Sequence, residues 1–276
     1  MSVMRSLASA ARGALWLVRA GGLREHLQRL LQQEQRRRWR AAGDLRAYER
    51  RVYSQNGEDG IIQEILARIG VLNAVFVEVG VESGRECNCA RLVLEEQWRG
   101  VFCEADDGHF VALAERYRGR AGVRCVHATV ASTNIEELLQ ANKVPRDFDV
   151  LSIDIDGNDY WVWAAVESWR PRLVVIEYNA AHEPTTKWVM RENPQHRWDQ
   201  TSYYGASLAS LVALGRKKGY TLVATDSTGV NAFFVRDELA TPERFLDPVL
   251  HYHYSPLNSP MCPGGHPYRG GPFVEI

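Results

Sequence analysis

No stretch of the sequence approaches the roughly 20 consecutive apolar residues that a bilayer-spanning helix needs, so no such helix is expected. Cysteine is scarce and odd in number, five in 276 residues, and no CxxC pair suggests zinc or redox work. Cys87, Cys89, Cys103 and Cys125 fall in or beside apolar runs, where a reduced thiol serves as a small hydrophobe. A reducing, cytoplasmic setting follows as the expectation. Net charge is nearly absent at −1, so the whole chain carries no attraction for nucleic acid. With 45% hydrophobic and 24% charged residues, the length suits one α/β domain with extensions.

The charge is unevenly placed. Residues 1–53 hold twelve arginines, Arg5 to Arg51, against Glu25, Glu34, Asp44 and Glu49, a net of +8 that leaves −9 for the rest. Met1 to Gly22 contain no acid at all, a composition that fits either a mitochondrial presequence or an amphipathic helix lying on the body of the protein or on a membrane surface. Arg5, Arg12 and Arg19 share one helical stripe. Leu27, Leu30 and Leu31, then Arg36-Arg37-Arg38-Trp39-Arg40, continue helical basic character to about Tyr48. Residues 1–52 therefore read as a basic helical extension, with peripheral membrane contact as one use and a solvated face as the plain alternative.

From Tyr53 the texture changes. Ser54-Gln55-Asn56-Gly57-Glu58-Asp59 is a turn with acids suited to a helix N-terminus, and Ile61, Ile62, Ile65, Leu66 and Ile69 form a helical face closed by Gly70. Strands are predicted at Ala74–Val79, Gly100–Glu104, Val123–Val130, Asp149–Ile153 and Leu173–Tyr178. Helices are predicted between them at Asn88–Gln97, Gly108–Tyr117, Ile135–Asn142 and Trp161–Ser168. This alternation gives a parallel, doubly wound sheet. A long loop, Asn179 to Tyr204, is followed by a helix at Ser207–Lys218. Two strands, Tyr220–Thr225 and Ala232–Val235, then flank a short turn and read as a hairpin. The fold class expected is a Rossmann-like α/β sheet of seven strands, mostly parallel, with a C-terminal antiparallel hairpin. Its domain would span 53–237, with a Pro/Gly-rich wrapping tail over 238–276.

Val75-Phe76-Val77-Glu78-Val79 runs into Gly80-Val81-Glu82-Ser83-Gly84. Glycines there let the backbone turn beneath a ligand at the carboxyl edge of the sheet. Glu78 ahead of the first glycine repels a pyrophosphate and suits the ammonium of a methionine moiety. Glu104, 24 residues after Gly80, is placed to accept both hydroxyls of a ribose. These residues point to S-adenosylmethionine (SAM) and a class I methyltransferase, not to a nicotinamide enzyme. Glu82 departs from the glycine that the class prefers there.

Residues 54–60, 76–80, 152–159 (Ser-Ile-Asp-Ile-Asp-Gly-Asn-Asp), 174–179 (Val-Val-Ile-Glu-Tyr-Asn) and 229–235 resemble the FkbM-type SAM-dependent methyltransferases. The resemblance covers about residues 53–237. It implies methyl transfer to hydroxyls of sugars and natural products, and SAM contacts from Gln55, Glu78, Gly80, Gly84, Glu104 and Asp154.

Asp154 and Asp156 end the fourth strand, and Glu177 and Asn179 the fifth; adjacent parallel strands bring these ends together. Such oxygen donors suit Mg²⁺ or Ca²⁺, which would orient an acceptor hydroxyl and lower its pKa. The competing reading has Asp154 and Asp156 touching SAM and capping the next helix, and Glu177 paired with an arginine. His182, with Asp156, is the catalytic candidate, because an imidazole titrates near working pH. His127 reads as structural. Trp188, His196, Trp198, Tyr203 and Tyr204 either stack on the acceptor or pack as a lid. A small-molecule or glycan acceptor is expected. RNA or protein methylation is the enzymatic alternative, disfavoured by an acidic domain body and the lack of an Asn/Asp-Pro-Pro-Tyr tetrapeptide. A SAM-fold module without chemistry is the non-enzymatic one.

Overall fold

The computed structural model describes residues 26–27, 30–245 and 266–276. The acid-free segment 1–22, the tail residues His251, Tyr252, His253 and Tyr254, and Cys262 lie outside them. The chain divides between Ala47 and Tyr48 into two compact units. In the first, α1 (described over 30–41) is exposed along its length apart from the half-buried Trp39, over whose ring Arg46 stands at 5.1 Å. No helix among the described residues is long and apolar enough to cross a membrane.

The second unit is built on a seven-stranded sheet in the order β3-β2-β1-β4-β5-β8-β7. The strands are β1 (Val75–Val79), β2 (Arg99–Glu104), β3 (Val123–His127), β4 (Asp147–Ile153), β5 (Arg170–Glu177), β7 (Tyr220–Thr225) and β8 (Asn231–Arg236). β1 to β5 run parallel, and β8 is antiparallel to both β5 and β7. This is the Rossmann-like, mostly parallel seven-stranded sheet with a C-terminal antiparallel hairpin expected from the sequence. β1 is buried at every residue, as befits a central parallel strand of β-branched and aromatic residues covered on both faces. β3 stops at His127, three residues short of expectation. β5 starts three residues early, where Pro171 is tolerated near the strand's first residue.

The helices are α2 (Glu58–Ile69), α3 (Ala90–Leu94), α4 (Asp107–Arg116), α5 (Ile135–Ala141), α6 (Asp159–Ala165) and α7 (Leu208–Lys218). The predicted isoleucine face of α2 is buried, and the helix ends at Gly70 with φ +76°. Asp226 fixes the β7–β8 turn: its carboxylate accepts from the N–H groups of Thr228, Gly229, Val230 and Asn231 and from the Thr228 hydroxyl. The loop 179–204 is not wholly irregular. It carries a short strand, β6 (Val189–Met190), antiparallel to β9 (Phe273–Val274) in the tail.

Candidate cofactor and carboxylate site

Strand register sets the site. Val79 lies beside Cys103 on one flank and Ile153 on the other, so Gly80 meets both Glu104 and Asp154 at the carboxyl edge. Ile153 pairs with Ile176, which brings Asp154 level with Glu177. β1 is the point where strand order reverses, and ligands of doubly wound sheets bind in the crevice outside it.

Gly80 has φ +78°, and a Cβ there would stand 1.6 Å from the Asp154 carbonyl oxygen, so the turn admits no side chain. Gly84, at φ +71°, lies against Leu113 and Tyr117, where a Cβ would approach to 2.6 and 2.8 Å. Between them Glu82 has φ +48°, the left-handed backbone that glycine would adopt without strain. Its N–H donates to Glu104 Oε2 at 2.7 Å, while Ala105 and Asp106 N–H donate to Oε1 at 2.8 Å each. Glu104 thereby joins the two loops that wall the crevice.

Glu78 points inward: its oxygens accept from Asn88 N–H at 2.6 Å and Cys89 N–H at 2.8 Å, fixing the entry to α3. Burial pushes its carboxyl up to about 7, against the opposing pull of those two N–H donors. Glu78 therefore supports the loop. Gln55 is exposed on the turn before α2. That turn is rigid, since Asp59 Oδ2 accepts from the N–H groups of Val52, Tyr53 and Ser54 and from the Ser54 hydroxyl.

The D-x-D-G-N-D segment divides its labour. Asp159 accepts from Ile155 and Gly157 N–H, shaping the loop ahead of α6 and leaving Asp154 and Asp156 without a capping task. Asp156 has φ +54°. One carboxylate oxygen each from Asp154, Asp156 and Glu177 come within 4.8 Å of one another. Burial, then Asp156 and Asp159, raises the Asp154 carboxyl. Burial, then Asp154, raises Glu177. Asp156 is lifted to about 6 by burial and then by Asp159, Glu82 and Glu104. Glu177 is 9% exposed and, contrary to the arginine-paired reading, its Oε2 is buried without any hydrogen-bond partner.

Asn179, expected among the oxygen donors, is committed elsewhere. Its Nδ2 donates to the carbonyls of Ser202 and Tyr204, and its Oδ1 accepts from Ala181 N–H at 3.0 Å. It holds the lid closed on itself. His182, the expected base, stacks on Trp188 with centroids 4.3 Å apart, and burial alone depresses its imidazole to about 4. His196 packs against Gly157 in the acidic segment: its Cδ2 lies 2.5 Å from where a Cβ on Gly157 would fall. Burial depresses it too, and its Nε2 is buried without a partner. Tyr204 faces the same cluster. Burial, then Glu177, Asp154 and Asp156, raises its phenol. His196 lies forty positions after Asp156, so no local sequence signal announces its packing on this segment. Small Gly157 was the available hint.

The loop aromatics behave mainly as a lid. Trp188 and Tyr203 are buried around Met190, and Trp198 meets Tyr204 edge-on. The lid is tied to the body through reciprocal Asn158–Asn193 bonds and by Trp161 Nε1 donating to the Met190 carbonyl. The tail ties it from outside. The Tyr203 hydroxyl and Arg191 N–H both donate to the Pro272 carbonyl, and Ser202 N–H donates to that of Pro267.

No family model matches the sequence. No curated protein matches it either. Among solved structures, the CurJ carbon methyltransferase is similar at 8% identity and TM-score 0.43, over 67% of this chain. This chain spans 56% of that one's length. The N-terminal domain of EvdMO1, with SAH and D-fucose, is similar at 14% identity and TM-score 0.41, covering 67% of this chain and 83% of that one. The CcbJ methyltransferase from Streptomyces caelestis gives 12% identity and TM-score 0.42, with 66% and 90% covered. Scores this low bear neither on substrate nor on chemistry.

Proposed function

We propose that this chain is a SAM-dependent methyltransferase, of the FkbM type, acting on a hydroxyl of a sugar or natural-product-like small molecule. The observation that carries the reading is the crevice where β1, β2 and β4 end. There Gly80 excludes any side chain, and Glu104 is held by three backbone N–H groups. SAM supplies an electrophilic methyl group on a sulfonium, and this chain's part is to hold and align it. Gly80 and Gly84 would give the backbone room, Glu104 would take the ribose hydroxyls, and Glu82 would offer negative charge to the methionine end with Asp154 beside it. An acceptor of many negative charges would be repelled by the exposed Glu82 and Asp156, which disfavours RNA. The free thiols of Cys87, Cys89, Cys103 and Cys125 suit a reducing compartment such as the cytoplasm.

A divalent ion fits the same reading. The unpartnered buried Glu177 Oε2 and three convergent carboxylates match the oxygen donors of Mg²⁺ or Ca²⁺. Asp154, Asp156 and Glu177 would hold the ion, which would lower the pKa of a bound hydroxyl. Asn179 is omitted, its amide being engaged by the lid. Of the two histidines, His196 packs against Gly157, the residue after Asp156, and is the candidate proton acceptor nearer the acidic segment in the fold.

Calorimetry with SAM tests the proposal: one-site binding is expected, weakened at least about tenfold in Glu104→Ala, where charged hydrogen bonds are lost. No SAM binding by the purified chain would leave only a module without chemistry. Titration with Mn²⁺ tests the metal separately, with binding expected in the wild type and lost in Asp154→Asn/Glu177→Gln.

A further inference from the structure

The first unit presents a surface that the methyltransferase reading leaves unused. Leu27, described as helical, and Leu30 and Leu31 at the start of α1 are 50%, 46% and 70% exposed. Their i, i+3, i+4 spacing puts them on one helical face. Leucines this exposed, gathered on one stripe, are uncommon on a face left in water. Two turns further on, Arg36, Arg37, Arg38 and Arg40 are all exposed. Arg38 pairs with Glu34 at 3.2 Å.

The two features together select the partner. Arginines alone would suit any polyanion, RNA included. Leucines gain nothing on a phosphate backbone but gain by entering the headgroup boundary of a bilayer, beside which arginines meet anionic lipid. We propose that Leu27, Leu30, Leu31 and the Arg36–Arg40 cluster form a docking surface for an anionic lipid bilayer. The contact is peripheral, since no described helix is apolar enough to span. It is independent of SAM chemistry in the second unit.

Co-sedimentation of the full chain with vesicles tests this. The wild type is expected to pellet with phosphatidylcholine vesicles containing phosphatidylglycerol and to stay in solution with phosphatidylcholine alone. Arg36→Glu/Arg37→Glu/Arg38→Glu should lower the partition coefficient at least about tenfold, because three cations near the surface are reversed. Leu27→Asp/Leu30→Asp/Leu31→Asp should lower it comparably with every arginine in place. All these side chains are exposed, so an unchanged circular dichroism spectrum and melting curve accompany both variants. A wild type that ignores anionic vesicles overturns the proposal. Leucine variants that bind like the wild type overturn it too, and retention of single-stranded RNA unaffected by those leucines would assign the arginines to nucleic acid.

Discussion

A methyl group at residue 80 would fall 1.6 Å from the Asp154 carbonyl oxygen, on a backbone already at φ +78°. Gly70 makes a useful contrast: its φ is +76°, yet nothing lies within 4 Å of a Cβ there. Gly70→Ala should therefore cost only the backbone strain, about 1 kcal/mol, while Gly80→Ala should cost about 3 kcal/mol or more. Urea unfolding of the two variants separates the contributions, and equal losses would mean that β1 and β4 are not in the contact described. Glycines and acids at strand ends were readable in the sequence because strand register follows from apolar runs. Pairing of Ile153 with Ile176 then places Asp154 beside Glu177 with no further information. The direction of Asn179 was not readable. An amide at a strand end can coordinate an ion or hold a loop, and the choice is made by carbonyls at Ser202 and Tyr204, more than twenty residues away.

At the scale of elements, strands and helices followed from periodicity, with errors of one to three residues where a turn or a proline intervened. The lid did not. β6 and β9 are two residues each, too short for any period to show, and they pair across more than eighty positions of sequence. Gly271 reveals the fit in retrospect, since a Cβ on it would come within 2.2 Å of the Tyr203 ring. Deletion of residues 266–276 should leave SAM affinity within about twofold, because the cofactor crevice lies on other elements. It should also speed proteolytic cutting within 179–206 by roughly tenfold, as local opening no longer breaks the β6–β9 ladder. Limited proteolysis with calorimetry on the same sample checks both expectations, and unchanged cutting would show that the tail does not hold the lid.

Across the whole second unit, buried acids dominate the electrostatics. Glu78 is raised from 4.5 to about 7 and Asp226 from 3.8 to about 6, each chiefly by burial; Asp154 and Glu177 are raised as well. In the folded state these groups keep protons that the unfolded chain has released. Their contribution is thus complete below the unfolded carboxyl values and is lost as pH rises through about 6 to 7. The depressed carboxyls Asp106, Glu136, Asp199 and Glu243 act at lower pH. The depressed imidazoles of His182 and His196 add stability as pH rises toward about 6.5 and offset part of the fall, which the more numerous raised carboxyls still set. The urea midpoint of the ligand-free protein should fall between pH 5 and pH 7.5, and Asp154→Asn/Glu177→Gln should flatten the fall. A midpoint that rises over that interval would contradict the burial of these carboxyls.

The bond network between lid and tail also has a consequence in time. A ribosome releases β1 to β4, and with them the turn at Gly80 and the acids at 154 and 156, long before it releases Phe273 and Val274. Domains tend to fold as their segments emerge, N-terminal parts first. A nascent chain can therefore complete its crevice while β6 still lacks the strand it pairs with, leaving Trp188, Met190 and Tyr203 without their outer cover. For that interval the unfinished chain presents its aromatic lid to whatever else is in the cell, and chaperone contact during synthesis should concentrate on residues 188–204.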